Sequence, residues 1–164
     1  VAIGETTFGG RDELQSDKGL IDCQRLCMLM LQRAKTAREA IELAGELLKE
    51  YGWNDYGETL TIADPNEVWV LEIVGPGKDK MGAVWVAQRV PDEHISISAN
   101  ASRIRQIDTD NPDYFMNNLR QFGTSMRLRA KEVSIIRGIC RQINWYGKKC
   151  FKDGIKHRGD DPCV

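Results

Sequence analysis

Four short runs rich in Val, Ile, Trp and Thr lie between Leu60 and Asn100, each bounded by Pro, Gly, Asp or Asn. Runs of this kind, joined by tight connections, are typical of strands. In the first and last runs, residues 59–62 and 95–98, apolar side chains alternate with Thr or Ser. Alternation predicts strands with one buried face. We therefore predict a four-stranded antiparallel sheet from Thr59 to Ala99.

The two middle runs have a different pattern. Val68–Val74 and Val84–Ala87 are apolar on both faces, with Glu72 as the exception. Such runs are typical of central strands that are covered above and below. The turn between the first two runs, Asp64–Glu67, contains Pro and Asn, which fix one dihedral and satisfy backbone groups locally. This turn predicts a hairpin with a fixed register.

The beginning of the chain combines a strand signal with glycines. Val1–Ile3 is apolar and predicts the end of a strand, whereas Gly4–Gly10 is rich in Gly and Thr. The simpler interpretation of the second segment is a Gly-rich turn. The alternative is a close approach of the backbone to a neighbour or a ligand.

Two amphipathic helices are predicted between the first segment and the sheet. Leu20–Gln32 has apolar residues at intervals of three and four positions, which indicates one buried stripe. Ala37–Tyr51 has the same periodicity, and Thr36 with Glu39 forms a capping box at its start. Gly52 follows as a C-cap. Helices followed by a meander of strands predict an α+β domain with both helices on one face of the sheet.

The cysteines and histidines give little indication of a metal site. Cys23 and Cys27 lie four positions apart on the apolar stripe of the first helix, which favours a buried pair over a ligand set. An odd total of five Cys without CxxC pairs argues against a disulfide framework. His94 and His157 have no partner at ligand spacing, so satisfied or surface histidines are expected.

Polar residues follow the last predicted strand. Asn100 with Arg103 three positions later forms either a plain turn or a site that places an amide and a guanidinium at the sheet edge. The next polar cluster predicts a short helix from Asp110 through Leu119, with Pro112 in its first turn.

Composition fits one soluble globular domain, since 164 residues contain 41% hydrophobic and 29% charged side chains. No apolar run is long enough for a membrane span. The first residues lack the features of a signal peptide and an initiator Met, so we expect an excised piece and leave an upstream signal peptide open. Charge is unevenly divided: residues 1–124 carry 13 Lys and Arg against 20 Asp and Glu, and residues 125–164 carry 10 against 4.

No nucleophile triad, phosphate-binding loop, zinc-protease motif or nucleotide fingerprint is present in the sequence. A resemblance goes further. About residues 1–118 resemble, in unbroken order, the cysteine-type dipeptidases of the dipeptidase A family. These are N-terminal nucleophile hydrolases related to secernins and, more distantly, to bile acid hydrolases and penicillin V acylase. The resemblance rests on AIGETTFGGR, LMLQRAKTAREAIELAGELLKEYG, TIADPNEVWVLEIVGPGK, VWVAQRVPDEHISISANASRI and NPDYF.

The family implies an αββα sandwich and the hydrolysis of dipeptides without a metal or cofactor. Its nucleophile is a cysteine at the start of the mature chain, whose own α-amine serves as general base. None of the five Cys here is N-terminal. We therefore expect the nucleophile to lie upstream and the fragment alone to be inactive.

The resemblance also implies a set of supporting residues. Glu5 and Thr7, with Thr6 between them, lie close to where related acylases place an oxyanion donor. Asn100 resembles the Asn that those enzymes direct at the substrate carbonyl, and Arg103 follows on the same turn. Donors of this kind stabilise the charge that develops on the carbonyl oxygen.

The family pattern breaks off after about Leu119, which divides the chain into a dipeptidase fragment at 1–120 and a basic tail at 121–164. One interpretation of the tail is a segment that binds an acidic partner such as nucleic acid, although no RNA or DNA module surrounds it. Another is an out-of-frame translation. We predict a poorly ordered tail and one exposed sheet face prone to self-association.

Two functions from different classes follow. The first is a peptidase fragment that acts on dipeptides; the second is a non-catalytic, secernin-like module that only binds. Neither a nucleic-acid nor a membrane partner is expected, and homo-oligomerisation is left open. A cytoplasmic location is favoured by the odd number of cysteines, unless an upstream signal peptide directs the protein to the periplasm or outside.

Overall fold

The computed structural model describes residues 1–104, 107–108 and 110–117. The α+β class is confirmed, because one antiparallel sheet carries two helices. The elements are β1 (Ala2–Gly9), a short 3-10 turn (Asp12–Leu14), α1 (Cys23–Arg33), α2 (Ala37–Tyr51), β2 (Gly57–Ala63), β3 (Val68–Val74), β4 (Val84–Val90) and β5 (Tyr114–Met116).

The sheet has the strand order β1-β2-β3-β4-β5, and every neighbouring pair is antiparallel. The predicted hairpin between β2 and β3 is confirmed. Asp64 Oδ1 accepts hydrogen bonds from the backbone N–H groups of Asn66 (2.7 Å) and Glu67 (3.0 Å). Asp64 Oδ2 accepts from Ala37 N–H (2.8 Å), so the turn also holds the start of α2. The sequence pattern did not indicate this second contact.

Helix α2 has the bounds that the sequence predicts. Thr36 Oγ1 accepts from Glu39 N–H (3.2 Å), while Glu39 Oε2 accepts from Lys35 N–H (2.8 Å), one residue before the cap. Gly52 follows with a φ of +69°, a conformation that favours glycine. The predicted Thr36 cap is therefore confirmed, whereas the return bond of Glu39 reaches Lys35 instead of the cap residue itself.

Helix α1 begins at Cys23 rather than at the predicted Leu20. Asp22 is its N-cap and accepts from Arg25 N–H (2.8 Å). Leu20 is 62% exposed, because its neighbour Ile21 is held in a parallel bridge with Trp53. A long-range pairing thus prevents the first turn that periodicity predicts.

Both helices pack on one face of the sheet, as predicted. The helix face of β2 and β3 is fully apolar between Leu60 and Ile73, and it packs against α1 and α2. The largest fully buried side chains of this core are Trp53, Trp69, Leu26, Met30, Ile41 and Leu48. Two helices over one sheet face are the arrangement expected of part of an αββα sandwich.

The opposite face of the sheet is covered over β3 and β4, so the prediction of an exposed face is wrong there. Val70 and Val86 are 2% and 3% exposed and belong to a second core with Leu14 and Ile104. Leu14 comes from the segment after β1, and Ile104 comes from the loop after β4. Within the described residues, segments between the strands, rather than a second sheet, remove this apolar surface from water.

The predicted strand at residues 95–98 is not formed. Ile95 and Ile97 are 73% and 61% exposed, and this segment pairs with no strand among the residues that the structure describes. Alternation is retained, but Ser96 and Ser98 are the less exposed side chains. The periodicity is correct, whereas the inferred orientation is wrong.

Strand β1 replaces this segment as a member of the sheet. It runs to Gly9, where a Gly-rich turn from Gly4 to Gly10 was the favoured interpretation, and it pairs with β2 along its length. A register irregularity lies between Thr7 and Gly9. A Cβ at Gly57 would lie 2.3 Å from the ring of Phe8, so glycine at this position makes room for the ring.

The helix predicted from Asp110 is also wrong. Asn111 Oδ1 accepts from Asp113 N–H (2.9 Å), and this turn leads into β5, where Phe115 pairs with Ala87. Tyr, Phe and Met form a short edge strand because β4 offers a free edge there. Residues 118–119 and the tail at 121–164 lie outside the described residues. No helix in the described part of the chain is long and apolar enough to cross a membrane.

Candidate functional site

The structure brings Asn100 and Thr7 together. Asn100 has a φ of +51°, an uncommon conformation that Asn tolerates better than most residues. Its side-chain Nδ2 donates a hydrogen bond to the backbone carbonyl of Thr7 (2.8 Å). Two residues 93 positions apart, both implied by the family resemblance, therefore meet where β1 ends.

The side chain of Asn100 has further hydrogen-bonding capacity. An amide NH₂ group has two N–H donors, of which Thr7 takes one. Asn100 is exposed in the described residues, so its second donor can reach a bound molecule. A fixed amide beside a strand end can stabilise a carbonyl oxygen on which negative charge develops.

Glu72 anchors the loop that carries Asn100 and Arg103. Its Oε2 accepts from the Ser102 hydroxyl (2.5 Å), and its Oε1 accepts from the backbone N–H groups of Arg103 and Ile104 (3.1 Å for Ile104). Burial raises the pKa of Glu72, although the three donors oppose this shift. The only sequence signal for this role was one carboxylate in an otherwise apolar central strand.

Arg103 lies on the loop that Glu72 anchors, and its guanidinium has hydrogen-bonding capacity left. Arg103 Nε is buried without a hydrogen-bond partner among the described residues. Thr6 and Thr59 lie opposite each other on β1 and β2. Their hydroxyls are also buried without a hydrogen-bond partner among the described residues. Thr59 also pairs with Glu72 across β3. This loop-covered face therefore contains polar atoms with spare hydrogen-bonding capacity.

Glu5 does not join Asn100. It pairs with Leu60, whose side chain belongs to the helix-face core, so Glu5 points toward α1. There a Glu5 carboxylate oxygen, a Glu58 carboxylate oxygen and Cys23 Sγ all lie within 4.8 Å of one another. Burial, with Glu5 close by, raises the pKa of Glu58 to about 7. The sequence pattern did not single out Glu58.

The two described cysteines interact with each other. Cys23 is buried and Cys27 is partly buried, which confirms the predicted pair on the stripe. A hydrogen bond with Cys27 and burial raise the pKa of Cys23, while the same bond lowers the pKa of Cys27. His94 N–H donates to the carbonyl of Pro91 (2.9 Å), and its Nδ1 is buried without a partner in the described part of the chain. His157 lies outside the described residues.

Comparison with known proteins decides the family. The model of peptidase family C69 matches residues 1–149. The chain belongs to peptidase family C69. The resemblance to the dipeptidase A family is thereby confirmed, and the C69 match extends beyond Leu119, where that resemblance breaks off. The link to secernins stays a prediction.

Several relatives of this C69 chain are named as dipeptidases. A probable dipeptidase of Latilactobacillus sakei is 33% identical over 110 residues, which are 66% of this chain and 22% of that protein. A probable dipeptidase B of Lactococcus lactis is 38% identical over 89 residues, 54% of this chain and 17% of its own. A dipeptidase of Bifidobacterium longum is 37% identical over 82 residues, which are 50% of this chain and 14% of that protein. The chain thus matches less than a quarter of the length of each of these relatives.

Proposed function

We propose that the protein containing this chain hydrolyses dipeptides with an N-terminal cysteine as nucleophile. Membership of peptidase family C69 and the dipeptidase names of several relatives support this activity. The observation that carries the proposal is the hydrogen bond from Asn100 Nδ2 to Thr7 O, because it assembles a candidate oxyanion site from distant parts of the chain.

In this mechanism the cysteine thiolate attacks the carbonyl carbon of the peptide bond, and negative charge develops on the carbonyl oxygen. The second N–H of Asn100 Nδ2 donates to that oxygen, and Thr7 holds the amide in place. The amine of the second amino acid then leaves, and water hydrolyses the thioester. Loss of one such donor costs about 2.7–4 kcal/mol of transition-state stabilisation in a well-studied hydrolase.

Arg103 serves substrate binding in this proposal. A dipeptide carries a free carboxylate, and guanidinium groups bind carboxylates through strong charge-assisted hydrogen bonds. The buried and unpartnered Nε of Arg103, on a loop held by Glu72, supports this role. Glu5 is not included, because it lies on the helix face of the sheet.

Neither described cysteine is suited to be the nucleophile. Cys23 and Cys27 belong to α1, and the raised pKa of Cys23 disfavours its thiolate. The pKa of Cys27 is lowered, but Cys27 lies inside a helix and has no free α-amine that could act as general base. We infer that the nucleophile is a cysteine of the parent protein outside these 164 residues.

The test compares the purified 164-residue chain with the intact parent protein on a panel of dipeptides. The proposal expects turnover by the parent, abolished by a thiol-alkylating reagent, and none by the chain. Turnover by the chain alone that alkylation abolishes contradicts the assignment of the nucleophile. A parent protein that binds dipeptides without hydrolysing them supports the non-catalytic alternative instead.

A further inference from the structure

A cluster of three potential metal ligands lies on the helix face, away from the loop-covered face. Glu5 from β1, Glu58 from β2 and Cys23 from the first turn of α1 each offer one atom, and these atoms lie within 4.8 Å of one another. The spacing follows from the fold, because α1 packs against β1, which pairs with β2.

A second observation distinguishes this cluster from an ordinary group of surface acids. Glu58 is only 3% exposed, and its Oε2 is buried without any hydrogen-bond donor in the described part of the chain. Burying a carboxylate oxygen without a partner is costly, so native proteins usually satisfy such atoms. A hydrogen bond from the Thr7 side chain favours the charged form of Glu58, but it does not supply a partner for Oε2 among the described residues. The charges that act on it are those of Glu5 and Asp55, both negative.

We propose that Glu5, Cys23 and Glu58 bind a divalent transition metal ion of the zinc type. One sulfur and two carboxylate oxygens match the mixed ligand sets of Zn²⁺, whereas Mg²⁺ and Ca²⁺ prefer oxygen alone. Three protein ligands leave the fourth tetrahedral position for water. The proposal does not depend on the peptidase activity.

Proton release accompanies this binding. The ion takes the place of the Cys23 thiol proton and of the proton that burial favours on Glu58, and both protons pass to solvent. The ion then supplies the partner that Glu58 Oε2 lacks. It also ties the start of α1 to β1, the strand that contains Thr7.

The test uses the full 164-residue chain with Cys140, Cys150 and Cys163 replaced by serine, so that sulfur outside the described residues cannot bind metal. Co²⁺ is added as a spectroscopic probe, and Zn²⁺ binding is measured by calorimetry. We expect one equivalent of Zn²⁺ and a sulfur-to-cobalt charge-transfer band. Cys23→Ser should abolish the band, and Glu58→Gln should weaken Zn²⁺ binding by at least about tenfold.

Two matched variants serve as controls. Cys27→Ser removes a sulfur one helical turn away, and Glu46→Gln removes an exposed carboxylate on α2; both should keep the band and the affinity. If Glu58→Gln does not fold, Glu5→Gln, at an exposed position, provides the same test. The proposal is wrong if the chain gives no charge-transfer band, or if the band survives in Cys23→Ser. If the chain binds neither Co²⁺ nor Zn²⁺, the three residues do not form a metal site.

Discussion

Two glutamates on neighbouring strands are equally buried but differ in their hydrogen bonding. Glu58 on β2 and Glu72 on β3 are each 3% exposed, but they point to opposite faces of the sheet. Glu72 receives hydrogen bonds from one hydroxyl and two backbone N–H groups of a single loop. Glu58 lies beside another carboxylate, and its Oε2 receives none from the described residues.

The difference lies in hydrogen bonding rather than in burial. A buried carboxylate with three donors holds structure, and here it holds the loop with Asn100 and Arg103. A buried carboxylate with an unsatisfied oxygen destabilises the fold unless a proton or a cation binds. Glu72 is therefore interpreted as an anchor and Glu58 as a binding group.

The largest effect that separates the two is expected from Glu72→Ala. This change leaves three donors of the loop without an acceptor, so the free energy of unfolding should fall by about 3–5 kcal/mol. Glu58→Ala, the matched control, should cost less than half as much, because it removes a buried charge that repels Glu5. Urea denaturation of both variants measures the difference, and equal losses would contradict the comparison.

The stability of the fold should depend on pH through Glu58. The pKa of Glu58 is about 7 in the folded state against 4.5 as the usual value, so the folded chain binds more protons between these limits. Its contribution to stability is present below about pH 4.5 and is lost as pH rises through about 7.

Unfolding measured in the presence of a chelator should show this loss, and Glu58→Gln should remove most of it. The raised pKa of Glu72 acts in the same direction, so Glu72 contributes to the slope that remains in Glu58→Gln. Stability that increases over the same pH range would contradict the assignment.

A smaller effect is expected from Ser102→Ala, which removes one of the three donors to Glu72. Loss of one hydrogen bond to a buried carboxylate should cost about 1–2 kcal/mol of stability. Ser98→Ala is the matched control, because the Ser98 hydroxyl is buried without a partner among the described residues and its removal should be nearly neutral. Similar losses for both variants, measured by thermal unfolding, would show that Glu72 gains nothing from Ser102.

Local signals predicted the elements that local chemistry determines. The capping box at Thr36 gives the start of α2, and the turn at Asp64 gives the β2–β3 hairpin, because both depend on neighbouring residues. Apolar periodicity also predicted the covered central strands. The errors fall where pairing with a distant strand determines the structure. Residues 95–98 alternate like a strand but have no neighbouring strand among the described residues, whereas β1 and β5 pair with β2 and β4.

The candidate site shows the same division. The family resemblance pointed to Thr7, and both the residue pattern and the resemblance pointed to Asn100 and Arg103. Only the fold shows the contact between Thr7 and Asn100. The roles of Glu58 and Glu72 depend on residues about 30 or more positions away, so no spacing rule indicates them. For the same reason the sequence could not show that Glu5 faces the helices.

We propose above that Asn100 stabilises the oxyanion in dipeptide hydrolysis. Its most direct test is the steady-state rate of the intact parent protein carrying Asn100→Ala, with Asn66→Ala in the exposed β2–β3 turn as the matched control. We expect Asn100→Ala to lower kcat by about 10²–10³-fold with little change in KM, while Asn66→Ala keeps the full rate. A folded Asn100→Ala enzyme with an unchanged kcat would contradict it.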